Sequence, residues 1–305
     1  MSELTTTAAF DVKGLTYAFP DSTVGLQDVN IDLPSGSRTL LVGANGAGKS
    51  TLLRILAGKT LSKTGSVRIY GFDPFRTSVT GVTYLGTEWA ANPVVRHDMP
   101  VPVLLASVGG DAFPDRRDQL LDILDVDLRW HMHAVSDGER RRVQLVMGLL
   151  RPWNILMLDE VTVDLDVLVR ARLLSFLRTE TESRPCAILY ATHIFDGLAD
   201  WPSHLLHIHL GRILSTGRTT DIIAKYLQET ADQDVHHHDK QQQQLVKYNN
   251  NSALLNLALA WLSSDLADRG ARETVKKLKW EDVSPEDKQG GLSSFEEYFK
   301  FSRAR

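Results

Sequence analysis

Nothing constrains the fold of this chain more than the run Gly43-Ala44-Asn45-Gly46-Ala47-Gly48-Lys49-Ser50-Thr51. It has the spacing G-x-x-x-x-G-K-[ST], follows the apolar stretch Thr39-Leu40-Leu41-Val42, and opens a helical pattern from Ser50 to Leu56. A glycine loop between a strand and a helix is the context in which this spacing holds phosphate. Gly43, Gly46 and Gly48 let backbone N–H groups crowd around phosphate oxygens with no Cβ in the way. The helix N-terminus adds partial positive charge at the same spot. Lys49 can reach the β- and γ-phosphates, and the Ser50 hydroxyl can ligate Mg2+. Asn45 and Thr51 complete the loop and first turn and are counted with the phosphate-binding residues.

A second motif supplies acids. Asn154-Ile155-Leu156-Met157-Leu158-Asp159-Glu160 reads as an apolar strand ending in two carboxylates. The carboxyl end of a strand is where an open α/β sheet places its ligands. Asp159 is placed to hold Mg2+ directly or through water. Glu160 points elsewhere and can polarise an attacking water as general base.

The composition is that of a globular protein. The chain has 305 residues, 43% of them hydrophobic, which leaves room for one large domain plus an extension. Its 34 basic and 38 acidic side chains give a net charge of −4, so no overall basic field draws nucleic acid, and nucleic acid is not expected as a direct ligand. The single cysteine, Cys186, excludes an internal disulfide and suits a reducing compartment. No uninterrupted apolar run approaches the ~18 residues of a membrane span. Residues Met1 to Phe10 lack the basic and apolar regions of a secretory leader. The expected setting is cytoplasmic, with the nucleus as a further possibility.

Short continuous apolar runs at Leu40–Val42, Val82–Leu85, Ile155–Leu158 and Ala187–Tyr190 predict buried parallel strands. Val67–Tyr70 and Leu205–Leu210 read as partly exposed antiparallel strands, the latter turning at Gly211 into another strand. From about residue 226 to 251 the chain becomes polar, with His236–His238, Gln241–Gln244 and Asn249–Asn251, and is expected to be a linker. A helix from Ser252 to about Lys279 follows, with Leu255, Leu259, Leu262 and Leu266 expected along one face. An aromatic tail, Phe295, Tyr298, Phe299 and Phe301, closes the chain. The expected organisation is a nucleotide-binding domain over 10–225, a linker over 226–251 and a helical extension over 252–305.

Between the two phosphate-site motifs lies Val135-Ser136-Asp137-Gly138-Glu139, leading into a helix that begins Arg140-Arg141-Arg142. Ser136 is an N-cap candidate, and a serine-capped helix start attracts phosphate. Here the chain resembles the ATP-binding-cassette (ABC) ATPases, whose signature is usually Leu-Ser-Gly-Gly-Gln. Ser136 and Gly138 match it; Val135, Asp137 and Glu139 depart. Val163-Asp164-Leu165-Asp166 stands where that family carries its D-loop, with Asp166 the matching residue. His193, in Ala191-Thr192-His193, resembles the switch histidine that contacts the γ-phosphate. Tyr17-Ala18-Phe19-Pro20 resembles the loop whose aromatic ring stacks on adenine; Phe19 fits best by its place before Pro20, and Tyr17 is the second candidate. After Val82–Leu85, transporter members carry a glutamine. Here the sequence reads Gly86-Thr87-Glu88-Trp89, with Thr87 at the expected place, and Glu88 is a candidate to take over a metal or water contact.

The resemblance covers about residues 10 to 225. It implies an α/β P-loop NTPase with a mixed core sheet, an antiparallel β subdomain and a helical subdomain, extended at the C-terminus by helix. It implies ATP and Mg2+ as ligands, and a head-to-tail homodimer in which Ser136 and Gly138 serve the nucleotide of the opposite copy. The Ser-Asp-Gly-Glu signature, the Gly-Thr-Glu-Trp loop and the extension narrow it to small single-cassette members. Those include fungal proteins linked to a transcription-regulating and mRNA-deadenylating complex, and plant cytosolic relatives. Three functions stay open: a regulatory ATPase acting on protein partners, the energising subunit of a transporter with a separate membrane chain, and a non-hydrolytic ATP-dependent binding module.

Other polar groups have plainer readings. His204, His207 and His209 read as a solvated strand face rather than zinc ligands, since neither cysteine nor carboxylate completes a set. Arg140 to Arg142 read as a solvated helix face, with Arg141 or Arg142 bracing the signature helix.

Overall fold

The computed structural model describes residues 8–76, 80–91, 97–234 and 252–268. Two long antiparallel strands come first, β1 (Ala8–Ala18) and β2 (Val24–Pro34). β3 (Arg38–Val42) and α1 (Lys49–Leu56) follow, and β4 (Thr64–Ile69) returns to pair with β1. The order β2-β1-β4 makes a three-stranded antiparallel sheet. β5 (Val82–Leu85) leads into α2 (Val101–Ser107), α3 (Pro114–Ile123) and α4 (Asp137–Leu150). β6 (Ile155–Asp159), α5 (Val167–Ser183) and β7 (Ala187–Ala191) come next. β8 (His204–His209), β9 (Arg212–Arg218), α6 (Thr219–Asp234) and α7 (Ala253–Asp268) complete the described chain.

The second sheet has the order β5-β6-β7-β3-β8-β9. Its strands are parallel except for the antiparallel β8–β9 pair. Both faces are covered. Leu40 and Val42 of β3, Leu156 and Leu158 of β6, and Ile188 and Tyr190 of β7 enter one core with the helices α2 to α5. Leu41, Ile155, Met157 and Leu189 enter a second core, shared with α1 and the antiparallel sheet. Two-faced burial is why these strands read as continuous apolar runs rather than as alternations. α1 buries its apolar face in the second core, with Leu52, Leu53, Ile55 and Leu56 all at 0% exposure. Burying each such side chain stabilises by about 1.5–3 kcal/mol, so the helix behind the glycine loop is firmly seated.

Several expectations change. β8 is not a partly exposed antiparallel strand: it runs parallel to β3 on one side and antiparallel to β9 on the other. His207 and His209 are 4% and 6% exposed, not solvated, because α7 covers that face: the Trp261 ring stacks on His207. The boundary expected at 225 falls inside α6, which continues to Asp234. The buried face of α7 carries Leu254, Leu257 and Ala258, whereas Leu259 is 39% exposed, so the expected leucine stripe is out of register by about one residue. His236–His238, Gln241–Gln244, Asn249–Asn251, the stretch to Lys279 and the aromatic tail lie outside the described residues. The chain divides into a compact unit ending at Leu262 and a second beginning at Ser263, whose described part is the end of α7. Among the described residues, no helix is long and apolar enough to cross a membrane.

Candidate functional site

β3, β6 and β7 end side by side, with β7 in the middle, and each delivers a functional residue at its carboxyl edge. From β3 the chain enters the glycine loop. Gly48 (φ 109°) and Gly46 (φ 82°) adopt left-handed backbone that L side chains disfavour. A Cβ on Gly48 would sit 2.9 Å from the Gly25 carbonyl, while one on Gly46 would point into open space. Gly43 is equally constrained, since a Cβ there would lie 2.3 Å from the Ile208 carbonyl. No side chain caps α1, so its first N–H groups remain available to an anion. Lys49 is buried at the mouth of the loop and donates to the carbonyls of Gly43 (2.7 Å) and Ala44 (3.1 Å). Burial lowers its pKa, against the opposing pull of Glu160 and Asp159. Asn45 is exposed on the loop, and Ser50 and Thr51 are half-buried in the first turn.

Asp159 ends β6 and accepts from the hydroxyls of Ser50 and Tyr84, the latter at 3.1 Å. Burial holds its carboxyl above the usual range despite those two donors. Tyr84 in turn is pushed up to about 12, by burial and then by the Asp159 charge. Glu160, the next residue, has φ 55°, a left-handed backbone unusual for a side-chain-bearing residue. Its N–H donates to the Ala191 carbonyl at the end of β7 (2.9 Å). Its carboxylate lies 3.4 Å from Nδ1 of His193, two residues past that strand. The structure thus gathers Lys49, Ser50, Asp159, Glu160 and His193. Hard oxygen donors at Ser50 and Asp159 suit Mg2+.

Glu88 is held elsewhere, paired with Arg54 of α1. Arg54 also hydrogen-bonds Tyr84, so a relay runs from Glu88 through Arg54 and Tyr84 to Asp159. Sequence reasoning missed Tyr84 and Arg54. The available signal was a tyrosine facing a neighbouring strand's acid, which becomes visible only once β5 and β6 are paired.

Phe19 is 39% exposed, whereas Tyr17 is half-buried against the second core. Their rings meet edge to face at 5.2 Å. A Cβ on Gly25 would strike the Phe19 ring, and the Gly25 carbonyl backs Gly48, so this aromatic pair neighbours the phosphate loop.

On α4, Ser136 is the N-cap of a full capping box. Its Oγ accepts from the Glu139 N–H (3.2 Å), and its own N–H donates to the Glu139 carboxylate (2.7 Å). The departure from glutamine at position 139 therefore keeps the cap. Gly138 packs so closely that a Cβ would lie 2.8 Å from the Asp164 carbonyl. Asp166 caps α5, accepting from Leu168 and Val169 N–H groups at 3.0 Å each, and takes a 2.6 Å bond from Arg142. The three arginines are staples rather than a solvated face. Arg140 binds the Met132 and Val135 carbonyls, Arg141 the Gly86 carbonyl and Asp164, and Arg142 the carboxylates of Asp125 and Asp166.

A glycine loop between β3 and α1, an acid-ended β6 and a helical insertion bearing a serine-capped helix make this a P-loop nucleotide fold of the cassette type. Comparison with known proteins agrees. Residues 26–163 match the family described as ABC transporter. CCR4-associated factor 16 of Saccharomyces cerevisiae is 50% identical over 223 residues, covering 68% of this chain and 77% of the yeast protein. ABC transporter I family member 20 of Arabidopsis thaliana is 44% identical, covering 67% of each. A nucleotide-free ATP-binding cassette from an ABC transporter superposes with a TM-score of 0.60 at 17% identity, over 72% of this chain and 95% of that one. A dimeric cassette bound to ADP and phosphate gives 0.58 at 16% identity, over 68% and 98%. The chain belongs to the ABC family of ATP-binding cassettes.

Proposed function

We propose that the protein hydrolyses ATP with Mg2+ in a head-to-tail dimer of two identical chains. The observation that carries this reading is Glu160 and His193, on the ends of adjoining strands, beside the loop that holds Lys49. In this reading Lys49 and the loop amides from Gly43 to Thr51 bind the phosphates, and Phe19, backed by Tyr17, stacks on adenine. Ser50 and Asp159 hold Mg2+, which when bound neutralises phosphate charge. Glu160 accepts the proton of the attacking water, and His193 fixes the water and the γ-phosphate. Ser136 and Gly138 of the second copy close the site, with Asp166 at the seam. Loss of the γ-phosphate contacts opens the dimer, so the cycle is a clamp set by nucleotide state.

Its role in this reading is that of a regulatory or assembly factor acting on protein partners, in the cytoplasm or the nucleus. The printed name of the yeast relative, a factor associated with CCR4, supports a partner in a transcription-regulatory complex. The plant relative's name supports a second reading, the ATP-binding subunit of a transporter with its membrane part on another chain. Thr87 in the place of the transporter glutamine, with the neighbouring Glu88 engaged by Arg54, favours the first. Fractionation of native cells into membrane pellet and soluble pool separates the two.

The test is Glu160→Gln. Removing a general base lowers turnover by about 10²–10⁴-fold. Phosphate release should fall accordingly, and size exclusion with Mg·ATP should show the variant as a dimer. A variant that stays monomeric sinks the clamp, and a parent chain that releases no phosphate leaves only the non-hydrolytic binding module.

A further inference from the structure

Outside the nucleotide site, two histidines and an aspartate converge on one point. His131 and His133 flank Met132, which is fully buried, in a turn closed by the Ala134 N–H donating to the His131 carbonyl (2.9 Å), and both imidazoles are about half exposed. A bridge between Pro100 and His131 sets the segment from Asp98 alongside them. Two backbone bonds lock that register: Val101 N–H to the Trp130 carbonyl (3.0 Å) and Met132 N–H to the Met99 carbonyl (2.9 Å). As a result one oxygen of Asp98 lies 2.6 Å from Nδ1 of His131 and 3.0 Å from Nδ1 of His133. One donor atom from each of the three residues falls within 4.8 Å of the others.

We propose that Asp98, His131 and His133 form a binding site for a divalent transition metal of the Zn2+ class, with water as its remaining ligand. Two imidazoles and one carboxylate are the donor set such an ion prefers over Mg2+ or Ca2+. Bonds of about 2.0–2.2 Å around a tetrahedral ion separate donor atoms by about 3.4 Å, so side-chain shifts under ~1 Å suffice. The side chains are 46–68% exposed, so an ion can enter from solvent and a water can complete the shell. The surface beside them is concave, lined by Trp130, His131, His133, Val135 and Glu139. The location has a consequence for the nucleotide site. His133 is three residues from Ser136, and Arg140 grips the carbonyls of Met132 and Val135 on either side of His133. A metal on His133 therefore fixes the approach to the serine-capped helix.

The experiment uses the full chain with His236, His237 and His238 each changed to Ser, which removes a competing histidine tract. Nucleotide is left out, and excess Mg2+ competes for the hard oxygen donors at Ser50 and Asp159. Zn2+ is titrated calorimetrically, and Co2+ is followed by its visible absorption. One equivalent should bind, with the intense bands of a tetrahedral Co2+ site. His131→Ala and His133→Ala should each weaken binding by more than ~100-fold, since even the outer partners of metal-bound histidines are worth about 10–100-fold. Asp98→Asn, a conservative change at an exposed position, should weaken it by at least ~10-fold on the same grounds. Melting in EDTA should leave all three variants at the parent Tm, which separates lost binding from lost folding. Zn2+ uptake that is absent in the parent, or unchanged in His131→Ala and His133→Ala, overturns the proposal.

Discussion

The indole of Trp261 lies flat on the imidazole of His207, with ring centroids 4.5 Å apart and planes within 6°. α7 thereby closes the face of β8 that would otherwise put two histidines at a wet surface. Leu254, Leu257 and Ala258, at three- and four-residue steps, enter the same core as the sheet. The start of the extension is therefore part of the cassette's own core. Trp261→Ala removes the lid over His207. Tryptophan truncation in a full core costs about 3–5 kcal/mol, and at this half-buried site ~2 kcal/mol is expected. Urea unfolding checks it; an unchanged midpoint would mean that α7 does not cover β8 in solution.

Asp159→Asn should separate stability from function. Burial raises the Asp159 pKa, so the folded chain holds that proton more tightly than the unfolded chain. The sign is then that stability is lost as pH climbs from the ordinary aspartate range through the raised folded value, and at neutral pH the ionised group is a cost. Asparagine keeps an acceptor for Tyr84 and removes the charge. Calorimetry without nucleotide should show a higher Tm, by about 2–4 °C for each kcal/mol relieved. The same variant should lose the Tm gain that Mg·ATP gives the parent.

Gly138→Ala places a methyl 2.8 Å from the Asp164 carbonyl, a backbone atom that cannot swing aside. The helix itself accepts alanine, so any loss comes from that contact. Overpacking costs about 1–3 kcal/mol. ATP binding by the single chain should survive, while ATP-driven dimer formation, read by sizing in the Glu160→Gln background, should fail.

Glu180 accepts from Arg116 (2.7 Å) and Arg184 (2.6 Å), with Arg116 and Glu180 only 16% and 13% exposed. Burial alone would raise its pKa, but the two guanidinium groups hold it below the usual glutamate range. A depressed carboxylate contributes stability above its unfolded value and loses it as pH falls through its folded one. Glu180→Gln leaves two partly buried cations without a carboxylate, and about 2 kcal/mol of destabilisation is expected, less than for a fully buried pair. Urea melts across the acid range should decline less steeply for the variant than for the parent.

What the sequence disclosed follows the range of the interaction. The phosphate loop was legible because its glycines, lysine and serine are adjacent in the chain. The strands β3, β6 and β7 were legible because burial on both faces writes an uninterrupted apolar run, whereas β5, read the same way, is an edge strand that is only partly buried. The serine cap was legible because a capping box spans only residues 136 to 139. The bond from Tyr84 to Asp159 links residues on separate strands, and nothing local marks it. His207 looked wet because the tryptophan that covers it lies 54 positions later. Arg140 to Arg142 looked like a surface run because their acceptors are carbonyls and acids from four other segments. The leucine stripe slipped because leucine occupies 254, 255, 257, 259 and 262, and such density fits more than one face.

Both neighbours of β3 in the sheet, β7 and β8, come from residues 187–209. On a ribosome, the strand that carries the phosphate loop must wait through nearly 150 further amino acids before either flank exists. Until then the backbone N–H and C=O groups along both of its edges lack their native partners. The phosphate loop is thus made early in synthesis, while the strands that flank its base are made late.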